Sequence, residues 1–269
     1  MSGTWALILG CTQGAGGAIA SRLLSEGLLD VIGFHRGNHP DAAAALTALA
    51  ARSGRRCVLI EGDAGRLDTL PQQVERVREA LGEEEQLTLL IHACADASIG
   101  LVASEDPRAQ LHPRQILKTF EVMAHSFLFW GQAVVTGGLM ARGGQIIGFP
   151  NTLDDKVVRG FCAVSASKAA LTAYVRHMSV ELAPYGVRVN AVRFGATPTH
   201  AFRKMPNFEG IMDQVRRINP MDRTTSPEDV ADMVTLMLDR RAAWLNGAVI
   251  NLDGGEQHGM AEGIFGARP

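Results

Sequence analysis

The chain has 269 residues, 46% hydrophobic and 20% charged, a balance that excludes a disordered protein and is long enough for one large core. A formal net charge of -2 gives no electrostatic pull toward nucleic acid or an anionic membrane. No apolar run reaches the roughly 20 residues that span a bilayer.

Short apolar runs alternate with amphipathic stretches from end to end. Strands are expected at 5–10, 31–34, 57–60, 88–93, 145–149, 187–192 and 248–251, each apolar on both faces as in a buried parallel sheet. Helices are expected at 15–26, 41–52, 67–81, 113–141, 163–183 and 227–238. Pro71, Pro113 and Pro227 fall in their first turns, and Ser226 is placed to cap the last. Strict alternation predicts one α/β domain over 1–269, doubly wound, with a seven-stranded parallel sheet and helices on both faces. The stretch 194–225 breaks the rhythm with Pro198, Pro206 and Pro220. Its length predicts a lid over a site. Four scattered cysteines, Cys11, Cys57, Cys94 and Cys162, lack CxxC spacing, so they are expected as reduced thiols in a cytoplasmic protein, with no metal site.

The first predicted strand runs into Gly10-Cys11-Thr12-Gln13-Gly14-Ala15-Gly16, and a helix follows. Glycines there let the backbone turn sharply and approach a diphosphate, and the helix start offers free N–H groups. This predicts a Rossmann-type dinucleotide site built on Gly10, Thr12, Gln13, Gly14, Ala15 and Gly16. After the second strand stands Phe34-His35-Arg36, with no carboxylate until Asp41. Arg36 can pair with a 2′-phosphate, so NADPH is expected and NADH less so; a solvated surface arginine is the competing reading.

The GxxxGxG spacing, Val164-Ser-Ala-Ser-Lys168, Glu181 through Asn190-Ala-Val and Asn251-Leu-Asp-Gly-Gly255 together resemble the short-chain dehydrogenase/reductase family over essentially the whole chain. The resemblance implies that Asp63 and Ala64 lie against the adenine. His92-Ala93-Cys94-Ala95 stands where the family usually has Asn-Asn-Ala-Gly, and Gly195, Thr197 and Thr199 complete the cofactor contacts. It also implies a homodimer or homotetramer joined through the helices from Pro113 and Ala163.

The catalytic pattern is where the chain departs. Such enzymes place a tyrosine four residues before the lysine, so that the ammonium can lower the phenol's pKa. Lys168 is present, but Val164 precedes it by four. Asn151 stands at the serine position and Met123 at the asparagine position. Enoyl-acyl-carrier-protein reductases put their tyrosine seven residues before the lysine, and the 123–129 and 203–223 segments are similar to their NADPH-using type III branch. In that register the position is Phe161, a ring without the hydroxyl. Of the two tyrosines, neither Tyr174 nor Tyr185 is placed to substitute.

Three functions follow. The first is an NADPH-dependent reductase of an enoyl thioester, free or on an acyl carrier protein, of the fatty-acid or polyketide type. The second is a cofactor-binding pseudoenzyme or regulator. The third is a repurposed lyase, isomerase or cyclase of a specialised pathway. The tail from Glu256 is expected to be loosely ordered.

Overall fold

Every predicted strand forms, and the central strands are buried over most of their length because their apolar residues fall on both faces. A computed structural model describes residues 4–152, 157–198, 200–203 and 207–259. Strands β1 (Thr4–Leu9), β2 (Asp30–His35), β3 (Cys57–Glu61), β4 (Gln86–His92), β5 (Met140–Gly148), β6 (Arg188–Phe194) and β7 (Val249–Leu252) pair in parallel, in the order β3-β2-β1-β4-β5-β6-β7. The winding direction reverses between β1 and β4, which opens a crevice beyond the carboxyl ends of those two strands.

Helices α1 (Gly14–Ser25), α2 (Pro40–Ser53) and α9 (Pro227–Leu238) supply one face, where Ile19, Leu46 and Val234 pack on Ile8 and Ile91. Helices α3 (Leu70–Leu81), α5 (Ser126–Thr136) and α6 (Cys162–Glu181) supply the other, around Phe34, Trp130, Phe127 and Leu171. Phe34 and Trp130 meet edge to face at 5.3 Å. Helix α9 starts as its sequence dictates: Ser226 and Asp229 form a reciprocal capping box with Pro227 in the first turn. Between β6 and α9 lie α7 (His200–Arg203) and α8 (Phe208–Ile218). Among the described residues no helix is long and apolar enough to cross a membrane.

The helix expected over 113–141 is instead broken. Helix α4 (Pro113–Phe120) passes into one π-helical turn, Glu121–His125, before α5 resumes. The extra residue of that turn rotates everything after it, which changes what faces the crevice. Helix α5 stops at Thr136 because Gly137 and the left-handed Gly138 (φ 71°) close its end. That frees Met140 to begin β5 five residues earlier than expected, with an irregularity before Gln145.

Candidate cofactor and substrate site

The turn from β1 to α1 is shaped by two glycines that have no room for a side chain. Gly10 (φ 93°) lies so near β4 that a Cβ would stand 2.8 Å from the Ala93 carbonyl oxygen. At Gly16 a Cβ would meet the Gly10 carbonyl oxygen at 2.1 Å and the Ala93 Cβ at 2.9 Å. Helix α1 can therefore dock on the β1–β4 seam only without side chains there. The amides of Gly10 and Cys11 both donate to the Phe34 carbonyl, at 3.1 and 3.0 Å, fixing the turn against β2. At the start of α1, Gln13 offers no side-chain cap and the first turn holds no acidic residue. The helix start is left for an outside anion, which fits a diphosphate beside Thr12, Gln13, Gly14 and Ala15.

Across the seam, the loop after β3 is held fixed. Ala64 is buried and its carbonyl accepts from Trp130 Nε1 at 2.8 Å, while Asp63 Oδ1 accepts from the Gly65 amide at 3.1 Å. Arg36 is half exposed, and its Nη1 stands 3.1 Å from Asp96 Oδ2. Lys118 Nζ reaches the same oxygen at 3.0 Å. Two cations thus converge on one carboxylate just past β4. The solvated reading of Arg36 omitted Asp96, a residue that only the fold brings near.

The opposite wall of the crevice is apolar. Val122, Met123 and Val164 are buried together, with Phe161, Cys94 and Ala97 packed against them. Val164 and Lys168 lie one turn apart on the buried face of α6, and Phe161 stands just before its first turn. Burial pushes the Cys94 thiol up to about 12, so it stays protonated. Lys168 is 7% exposed and donates from Nζ to the Phe149 carbonyl at 2.7 Å. Asn151, three residues past β5, pairs by an isolated bridge with Phe194. Tyr174 is turned to His125, its hydroxyl 2.9 Å from Nδ1, and takes no part in this wall.

His92 at the end of β4 has its side chain beneath the crevice floor. Its Nε2 lies 2.7 Å from Ser126 Oγ, and Ser126 gives its one proton to the Val122 carbonyl at 2.8 Å. Nε2 must then carry the hydrogen, leaving Nδ1 a buried lone pair with no partner among the described residues. Burial, helped by the nearby Lys168 ammonium, pushes this imidazole down to about 3, so it is neutral. The backbone after His92 lines the seam through Ala93, whose amide donates to the Leu9 carbonyl at 2.9 Å.

Beyond β6, Gly195 and Thr197 are held from behind. The Gly195 amide donates to Leu252, and Thr197 Oγ1 donates to the Gly195 carbonyl. Glu256, 4% exposed, accepts from the Ala196 amide at 2.8 Å. The tail expected to be loose therefore begins as an ordered turn, Glu256–His258, because its first carboxylate is bound. Thr199 and the remainder of the tail, 260–269, lie outside the described residues.

A family model described as Enoyl-(Acyl carrier protein) reductase matches residues 10–257. A short-chain dehydrogenase/reductase of Armillaria gallica is 30% identical over 94% of this chain and 95% of its own length. The chain belongs to the short-chain dehydrogenase/reductase family. Within that family it is an oxidoreductase whose relatives are reductases. The 1-cyclohexenylcarbonyl-CoA reductase of Streptomyces collinus is 24% identical over 93% of this chain and 85% of its own. Among solved structures, a short-chain dehydrogenase of Burkholderia cenocepacia J2315 in complex with NADP is 27% identical, with TM-score 0.78, covering 95% of this chain and 98% of that one. The crevice between β1 and β4 lies where the strand order reverses, the place at which an open α/β sheet takes its ligand. Three residues escaped the sequence: Asp96 beside Arg36, Ser126 beneath the floor and Glu256 behind Gly195. None sits in a spacing pattern, and each acts through a contact across 34 or more positions.

Proposed function

We propose that the protein is an NADPH-dependent reductase of an α,β-unsaturated thioester, working without a phenolic proton donor. The observation that carries this reading is the apolar wall of Met123, Val164 and Phe161 beside the buried Lys168. When bound, a reduced nicotinamide supplies a hydride, which would go to the substrate's β-carbon. The amides at the start of α1 would hold the diphosphate, and Arg36 with Lys118 would take a 2′-phosphate in exchange for Asp96. Lys168 would orient the nicotinamide ribose. Met123, Val164 and Phe161 would seat an acyl chain and keep water from the face on which the hydride passes.

Chemistry favours an enoyl over a keto substrate here. A carbonyl reduced directly becomes an alkoxide that needs a proton at once, and losing that donor costs ~10²–10³ in rate, about 3–4 kcal/mol. Conjugate reduction leaves a delocalised enolate, which Asn151 could polarise and which water could protonate at the α-carbon. Holding the reactants together still contributes several kcal/mol. The Streptomyces collinus relative, named for a conjugated thioester, supports this choice. The segment 194–225 would close over the substrate, and an acyl carrier protein or CoA would present it. A homodimer or homotetramer joined through α5 and α6 suits their exposed Phe129 and Val180.

The test is NADPH oxidation with a crotonyl thioester in parallel with a small ketone. Wild-type protein is expected to consume NADPH only with the thioester. Phe161→Tyr, which restores a hydroxyl in the enoyl-reductase register, is expected to raise that rate by about 10². No consumption by either protein over a panel of thioesters overturns the proposal in favour of a non-redox role.

A further inference from the structure

At the opposite end of the sheet from the crevice, a pocket of about 390 Å³ opens beneath the strands. Leu28, Leu29 and Leu238 form its apolar side, and Thr88, Gln145 and Arg188 its polar side. Gln145 on β5 and Arg188 on β6 are register partners in neighbouring parallel strands, so their side chains leave the same face of the sheet next to one another.

These two side chains do not satisfy each other. Arg188 turns its Nη1 to the carbonyls of Ala242 and Leu245, at 3.2 and 3.4 Å. Among the described residues no carboxylate pairs with it, and none of the residues lining the pocket is acidic. Gln145 is 1% exposed, and both its amide nitrogen and its amide oxygen lack a hydrogen-bond partner among the described residues. A buried amide with nothing to bond and a half-buried cation with no counter-ion are each unfavourable alone. Burial also presses the Arg188 guanidinium below its ordinary pKa, the direction expected where no anion compensates it. An anion flat enough to accept from Arg188 with one oxygen and from Gln145 Nε2 with the other would compensate the cation and partner the amide nitrogen.

We infer that this pocket binds a small carboxylate with a short aliphatic body, its head between Arg188 and Gln145 and its tail against Leu28, Leu29 and Leu238. The site is separate from the crevice and does not depend on the reaction proposed there. A carboxylate rather than a phosphate is indicated because a single guanidinium faces one neutral amide, and three of the eight lining residues are leucine.

The experiment uses sodium butyrate as the probe, against sodium chloride at equal ionic strength. Thermal unfolding and leucine-methyl NMR shifts are followed in the full-length protein. Butyrate is expected to raise the unfolding temperature in a saturable way, with an affinity around the millimolar range given so few atoms. It is also expected to shift the methyls of Leu28, Leu29 and Leu238. Arg188→Met and Gln145→Leu are each expected to weaken binding about tenfold, the loss of a charge-assisted hydrogen bond. NADPH affinity should stay unchanged. Arg188 also ties down the Ala242–Leu245 turn, so its variant carries a folding risk. Gln145→Leu removes only unpartnered atoms and decides the matter by itself. Equal butyrate binding by wild type and Gln145→Leu overturns the inference, as does a wild type that responds no more to butyrate than to chloride.

Discussion

The edge of the crevice made by β1, α1 and β4 is built from backbone, whereas the edge made by the π turn Glu121–His125 and α6 is built from side chains. On the first edge the essential features are amides, a helix start and the missing Cβ atoms of Gly10 and Gly16. On the second they are Met123, Val164, Phe161 and Lys168. A backbone site cannot drift residue by residue without collapsing the packing of a helix on a strand. A side-chain site can exchange a polar group for an apolar one while the helix stays put, because Val164 buries as well as any ring would. Within one crevice, cofactor capture and proton delivery are therefore separable. The first is tied to the fold and the second is not.

The largest expected effect lies on the backbone edge. Gly16→Ala should push α1 off the β1–β4 seam, since its Cβ would overlap a carbonyl that cannot move aside. The expected cost is about 3 kcal/mol of stability with at least ~100-fold weaker NADPH binding, read by nucleotide fluorescence and denaturant unfolding. If Gly16→Ala binds like wild type, the two edges do not differ as described. A smaller effect probes the floor between them. His92 is neutral in the fold, at about 3, against an ordinary 6.5. Between those values the unfolded chain takes up a proton that the native protein does not. Stability is therefore complete above pH 6.5 and declines as pH falls through that window, with a slope of up to about 1.4 kcal/mol per pH unit. In His92→Asn this acid limb should flatten; urea midpoints measured from pH 7 to pH 5 check it, and an unchanged slope assigns the limb elsewhere.

The smallest effect concerns Arg36 at the rim. Arg36→Ala is expected to weaken NADPH about tenfold and leave NADH unaffected, the loss of one charge-assisted contact. Asp96→Asn, which frees both Arg36 and Lys118, should do the opposite and tighten NADPH, most clearly at low salt. Titration of both cofactors against both variants separates the outcomes. Equal losses for NADH and NADPH would remove Arg36 from the role of selector.

Much of this was written locally in the chain. The apolar runs could form only buried strands, and their alternation with amphipathic stretches left little besides a doubly wound parallel sheet. Gly10, Gly14 and Gly16 announce their turn by spacing, because a strand-to-helix turn at a diphosphate admits no Cβ. Ser226, Pro227 and Asp229 announce the start of α9 because a capping box involves only four consecutive residues. What remained illegible depends on distance along the chain. The π turn at Glu121–His125 leaves no mark in composition, and it lies where Glu121 accepts the Leu67 amide, 54 positions away. The pairing of Arg36 with Asp96, the burial of His92 on Ser126 and the capture of the tail by Glu256 are likewise contacts between separate segments. Residues near in sequence constrain one another through backbone geometry alone, so the sequence determined the elements and the glycine turn. Charges, protons and the apolar wall were assigned only when tertiary packing chose which side chains would share a space.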